Sequence, residues 1–333
     1  DNGKDVPRLP GGLPAFAQAN DAQPDDFADI CRHLHLEPFT RRYRYSPGLN
    51  PADQQSRLEP ELLYSAPLVD DVKKTLKGIR EGLSQAQNVS LKEIGAQVGE
   101  MARAIERNAD AMIWLARLRS ADQYSYDHAI DVSVHLMVFA RFLGLPMKAI
   151  EQVGLAGMMM DIGKIDIPPE ILSKADNLTD EEYKLIQSHV ASSLEMLLGR
   201  DGFSTSVLEI VASHHERVDG SGYPRRLKGE RICFHGELAG LVDSYCAMTR
   251  NRAYGPAISS QKALESLIRM RGGKFRDSVV DQFIQCIGIY PIGSLVELNT
   301  GEVGVVIQQN QVRRLKPRLL MVLAADKSIE RFP

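Results

Sequence analysis

From Leu68 onward apolar residues return at alternating steps of three and four: Val69, Val72, Leu76, Ile79 and Leu83. That period belongs to an amphipathic α-helix and not to a strand. A second run, Leu91, Ile94, Val98, Met101 and Ile105, keeps the same spacing and opens on Ser90-Leu91-Lys92-Glu93, which has the form of a capping box. Helical texture continues over 108–118, 127–143, 150–160, 180–198, 206–215, 236–249 and 261–271, with breakers between the runs. The expected fold is therefore mainly α, a helical bundle. Its first two helices read as a hairpin, whose spacing permits a homodimer seam through residues 68–118 as readily as packing against the next domain.

The two ends differ from this middle. Residues 1–66 are rich in Pro, Gly, Asp and Gln and read as a small irregular region, with one alternating segment at 39–45. Its Arg41, Arg42 and Arg44 read as a solvated basic edge. At the other end, 294–298, the turn Asn299-Thr300-Gly301 and 303–307 read as a β-hairpin, and 318–324 supplies a third strand. The expected units are 1–66, a helical hairpin at 67–106, a helical domain at 107–285 and a β appendage at 286–333. A net charge of −3 and a pI near 6.3 exclude the global basic field that long nucleic acids require, but leave room for a small anionic ligand. Four cysteines without CxxC pairing fit a reducing compartment. With no apolar run of 18 residues and no charged-then-apolar leader, the expected location is the cytoplasm and no membrane segment is expected.

The chemistry concentrates in a few polar residues on apolar helices. Asp161 follows Leu155-Ala156-Gly157-Met158-Met159-Met160, where a helix should be entering the core. A carboxylate there must be paired, hydrogen-bonded or metal-bound, or else cap the Ile162-Gly163-Lys164 turn. Lys164 would sit near the same place. His214 and His215 end another apolar helix, where two neighbouring imidazoles can turn to one centre, and a Gly-rich turn follows them. His128, His189 and Asp243 lie on further apolar helices. Imidazoles with carboxylates are a ligand set for iron, manganese or zinc, not for calcium. His135, seven residues after His128 and so about 10 Å along the same helix, is too far to share an ion with it and reads as structural. His33, His35 and His235 read the same way.

The unbroken HHERVDGSGYP at 214–224, DIGK at 161–164, residues 165–168, Ile171, Leu172 and Lys174, Leu178-Thr179 with Glu182, and Arg252 with Tyr254 together resemble the HD-GYP family, a branch of the HD phosphohydrolases. The β-hairpin tail and the 108–118 helix also look like extensions found beside that domain. The resemblance implies an HD-type helical bundle that hydrolyses cyclic di-GMP to pGpG and/or GMP in bacterial second-messenger signalling. It implies two divalent ions, iron or manganese first, with zinc, nickel or magnesium as alternatives. His128, Asp161 and Asp243 would hold one. Asp161 as a bridge, with His189, His214 and His215, would hold the other. Asp161 and Lys164 carry the catalytic roles, while Lys164, Arg217, Arg252, Gly222 and Tyr223 would meet the substrate. The GYP loop resembles a contact surface for GGDEF-type cyclase domains. Four departures accompany these matches: Met160 replaces the histidine of the HD pair, Tyr124 a glutamate, Gly255 a basic residue and Cys246 an aspartate. Met160 leaves the first ion three protein ligands, so weakened turnover is expected. The competing expectations are a receptor or docking module without activity, and cleavage of a mixed cyclic GMP-AMP.

Overall fold

The computed structural model describes residues 58–85, 87–117, 124–250, 257–310 and 315–329. The alternating segment at 39–45, its arginines, His33, His35, Arg252, Tyr254 and Gly255 lie outside them, as do the side chain of Tyr124 and most of the 1–66 region.

Helix α1 spans Leu58–Ser84 and α2 spans Lys92–Arg107. The stripes read from the sequence are the buried faces: Val69, Val72, Leu76 and Ile79 on α1, and Ile94, Val98, Met101 and Ile105 on α2. Both are consumed inside the chain, where α1 meets α2 and α3 (Ala109–Arg117) and α2 meets α5 (Met147–Met159). Two details depart from expectation. The boundary at 66/67 falls within α1, because Leu58 and Leu62 are buried and anchor turns that run straight through Pro67. Glu61 on one of those turns accepts hydrogen bonds from both Nε and Nη2 of Arg107 at the end of α2. The Ser90 capping box does not form either. Leu91 is the residue before α2, and Ser90 Oγ reaches only the Lys92 amide, at 3.4 Å. A capping box of good geometry occurs instead at Thr179 and Glu182.

The centre of the molecule is α4 (Tyr124–Phe142), packed on α5 and on α10 (Phe234–Met248). After α5 come the 3-10 turn Ile162–Asp166, the short α6 (Pro169–Leu172), α7 (Asp180–Gln187), α8 (His189–Leu197) and α9 (Thr205–Ser213). The expected single helix over 180–198 is thus two, broken at Ser188. Helices α11 (Ser260–Met270) and α12 (Asp277–Ile287) follow α10, and α12 carries helical structure past the expected boundary at 285. Its apolar face, Val279, Val280, Phe283 and Ile287, is buried against the bundle, with Phe283 edge-on to Phe139 and Tyr245.

The appendage is a three-stranded antiparallel sheet, β1 (Leu295–Glu297), β2 (Val303–Gln308) and β3 (Arg318–Leu323), in that order, with Val296 opposite Gly304. It is fastened to the helices rather than hanging free: Arg318 pairs with Glu59 of α1 at 2.7 Å, and the Gln309 amide donates to Asp110 of α3. Among the described residues no helix is long and apolar enough to cross a membrane.

Candidate metal centre

The structure brings together every residue expected to hold metal. Asp161 sits at the end of α5, where the chain leaves α-helix for the 3-10 turn, and its side chain caps nothing. Two contacts hold it there. Ser193 of α8 donates its hydroxyl to the Met160 carbonyl and accepts the Gly163 amide. Gly163 is obligatory, since a Cβ would stand 2.3 Å from the His189 carbonyl oxygen and 2.5 Å from the Ser193 nitrogen. The turn can therefore press onto α8 and deliver Asp161 to His189. Sequence reasoning missed Ser193. Its only signal is its place one turn after His189, on the same helix face.

The two oxygens of Asp161 serve two sides. Oδ1 lies 3.2 Å from His189 Nε2 and 3.8 Å from His214 Nε2. Oδ2 lies 2.6 Å from Lys164 Nζ and 4.0 Å from His128 Nε2, which is in turn 2.9 Å from Asp243 Oδ1. Two groups of metal-ligating atoms result, Asp161–His189–His214–His215 and His128–Asp161–Asp243, sharing Asp161.

The proton positions decide what the first group can do. His189 Nδ1 lies 2.6 Å from the Ile186 carbonyl and His214 Nδ1 2.6 Å from the Val211 carbonyl. A carbonyl only accepts, so both Nδ1 atoms carry hydrogen, and in the neutral rings both Nε2 atoms present lone pairs. These face each other across 3.4 Å with a carboxylate oxygen beside them. Three electron-pair donors converging without a proton repel one another, and a cation among them relieves the repulsion. Asp161 Oδ1 is buried and accepts no well-aligned hydrogen bond, as expected of an oxygen reserved for a cation. The residues present therefore fit a metal, and the carbonyl contacts are the usual outer support of histidine ligands.

Electrostatics keep the donors in ligand form. Burial pushes His214 down to about 4, against the pull of Asp161, and burial with the neighbouring His214 holds His215 well below its ordinary value. Burial alone would raise Asp161 and Asp243. The Lys164 ammonium outweighs it at Asp161, and the His128 contact outweighs it at Asp243, so both carboxyls stand well below their usual range.

The GYP loop supports this centre from behind. Tyr223 stacks on His215, ring centroids 4.5 Å apart and 25° between planes, and its amide donates to the His215 carbonyl. Gly222 lies so near its own chain that a Cβ would stand 2.4 Å from the His215 oxygen and the Arg217 nitrogen. Arg217 sits over the Phe275 ring at 4.8 Å and donates to the His214 and Glu216 carbonyls. Buried Glu216, missed in the sequence, accepts the Arg225 and Leu227 amides and ties down the end of the loop. Met160 is 1% exposed and belongs to the apolar core, so the His128 side of the centre has three protein donors where the other side has four. His135 stands apart from both, as expected, and His235 is half-buried beside Phe234.

Residues 101–279 match the family model described as HD domain. The chain is 32% identical over 279 residues to a cyclic di-GMP phosphodiesterase of Pseudomonas aeruginosa, covering 84% of this chain and 67% of that protein. It is 28% identical over 245 residues to a cyclic di-GMP phosphodiesterase of Vibrio cholerae, covering 65% of this chain and 50% of that one. Its fold is similar to that of Bd1817, described as a HDG"Y"P protein, from Bdellovibrio bacteriovorus, with a TM-score of 0.56, 17% identity and 77% and 79% of the two chains covered. With the HHERVDGSGYP loop folded against two sets of convergent ligands, the chain belongs to the HD-domain family, in its HD-GYP branch.

Proposed function

We propose that this protein is a metal-dependent phosphodiesterase that hydrolyses cyclic di-GMP to the linear dinucleotide pGpG and/or GMP. The observation that carries the metal-dependent reading is the pair of facing Nε2 atoms of His189 and His214 at Asp161 Oδ1, donors arranged for a cation. The relatives from Pseudomonas aeruginosa and Vibrio cholerae supply the substrate class. Iron or manganese is the first choice, from the mixed imidazole and carboxylate donors. When bound, such ions supply Lewis-acid polarisation of the phosphate and a more acidic water. Around them, Asp161 holds its two oxygens toward the two sets of ligands, His189 turns Nε2 to Asp161 Oδ1 while its Nδ1 donates to the Ile186 carbonyl, and burial keeps His214 and His215 unprotonated. Lys164 places its ammonium 2.6 Å from Asp161 Oδ2, at the junction of the two groups, where it can meet a phosphate oxygen. Arg217 acts by fixing the His214 carbonyl, and Tyr223 by bracing His215.

The test is incubation of the purified protein, loaded with manganese or ferrous iron, with cyclic di-GMP and separately with cyclic GMP-AMP, the products being separated by chromatography. Linear dinucleotide that disappears on chelation is the expected result. No product at high enzyme concentration with metal bound overturns the enzymatic reading. Binding of cyclic di-GMP without turnover would then favour the receptor reading.

A further inference from the structure

A second group of potential ligands lies on the same two helices, one turn deeper. On α4, Asp131 and His135 follow His128 at three and seven residues; on α10, Cys246 follows Asp243 at three. Because α4 and α10 pack side by side, the contact of His128 with Asp243 is repeated about 5 Å further along by Asp131, His135 and Cys246. One ring nitrogen, one carboxylate oxygen and the thiol sulfur lie within 4.8 Å of one another, and all three side chains are buried, none more than 1% exposed.

We propose that Asp131, His135 and Cys246 form a separate metal site for a thiophilic, borderline ion of the zinc class. Two observations carry this beyond proximity. First, Asp131 Oδ1 is buried without an aligned hydrogen bond; His135 Nδ1, 3.0 Å away, donates instead to the Asp131 main-chain carbonyl at 2.9 Å, which leaves Nε2 of that ring with the lone pair. Second, Arg250 takes the other oxygen, Oδ2, at 2.9 Å and also donates to the Ala116 carbonyl. The carboxylate is thus oriented from outside and keeps Oδ1 for the inside, as outer partners of metal ligands do. Arg117 adds a second positive charge nearby. What selects among divalent ions is the Cys246 sulfur, a soft donor that favours a thiophilic ion over a hard one. The carboxylate, shared with Arg250, and the thiolate supply the negative charge, and binding releases the proton of the Cys246 thiol, which burial otherwise holds well above its ordinary value. Around a tetrahedral zinc, ligand atoms stand roughly 3.5 Å apart, so small inward rotations would bring these three donors to that spacing, with the fourth position left open.

The experiment uses the full chain, stripped with a chelator and reloaded with cobalt(II), read by metal per chain and by the near-ultraviolet thiolate-to-cobalt band. The expected result is a thiolate band in the parent protein. It should persist in Cys233→Ser and Cys286→Ser, and in His214→Ala, which lowers only the histidine-bound metal. In Cys246→Ser the band should vanish, with one fewer cobalt per chain. No thiolate band in the parent, or a band that survives Cys246→Ser, overturns the proposal. Should Cys246→Ser fail to fold by circular dichroism, His135→Gln replaces it: at least tenfold weaker cobalt binding with a diminished band supports the site, and unchanged binding overturns it. The readout requires no hydrolysis, so it stands or falls apart from the proposed phosphodiesterase activity.

Discussion

Asp161 and Asp110 are both buried carboxylates, yet Asp161 stands well below the usual carboxylate range whereas Asp110 is pushed up to about 6. Burial acts in the same direction on both. At Asp161 it is outweighed chiefly by the Lys164 ammonium at 2.6 Å. At Asp110 it is opposed chiefly by one neutral donor, the Gln309 amide at 3.0 Å, with Arg141 contributing less. The metal centre thus maintains a negative charge that only a cation can use fully. The seam between helices and appendage tolerates an acid that ionises only near pH 6 because its oxygen fixes the end of β2 to α3. The same residue type marks function in one region and a structural compromise in the other, and its neighbours decide which.

The sharpest way to break this comparison is Asp161→Asn. It leaves an oxygen but removes the charge shared by both groups of ligands, so turnover should fall by at least about 10³-fold, with loss of bound metal. Metal analysis beside the hydrolysis assay checks this; full metal content in the variant would show that Asp161 is not the shared ligand. Lys164→Ala should cost less, about 10²-fold in kcat/KM, because it removes a phosphate partner and the cation beside Oδ2 while leaving every ligand in place. Unlike Asp161→Asn, it should keep its metal.

Much of the metal centre is legible in the amino-acid sequence. The steps of three and four identify the buried faces of α1 and α2, and the motifs at 161–164 and 214–224 mark ligands that the fold brings together. The strand pattern at 294–307 marks the hairpin that the structure forms. What the sequence hides depends on three-dimensional packing. The break at Ser188 is concealed in an unbroken helical pattern, yet it places His189 at the start of its own helix with Nδ1 aimed at Ile186. Ser90 has the letters of a capping box without the backbone geometry. Asp131 and His135 are a turn apart on α4, but Cys246 joins them only because α4 lies along α10, so the group of three has no signature in the spacing of either helix.

The seam offers a prediction of opposite sign. A carboxyl whose folded value is raised to about 6 from 3.8 contributes stability that is fully present below pH 3.8 and lost as pH rises through 6. Asp110→Asn retains an acceptor for the Gln309 amide and removes the charge. It should therefore stabilise the protein by about 2 kcal/mol at pH 7.5, the shift discounted for relaxation, and by much less at pH 4.5. Denaturant melts at the two pH values check this. A variant destabilised equally at both would show that Asp110 is fully compensated and that the two regions do not differ.

Met160→His gives the smallest effect and bears on the asymmetry within the centre itself. With an imidazole at the α5 terminus, the His128 side would gain a fourth donor and match its neighbour, and the more weakly held ion should be retained about tenfold more tightly, near 1.4 kcal/mol. The change also buries a polar ring where a thioether sits in the apolar core, which without metal costs about 1–3 kcal/mol. Apo and metal-loaded melts should therefore move in opposite directions: lower Tm in the stripped variant, partial or full recovery on loading. Met160→Gln introduces comparable polarity without a good metal donor and should show only the loss. If the histidine and glutamine variants recover equally, the position does not face the ions, and the three-donor side owes its composition to something other than Met160.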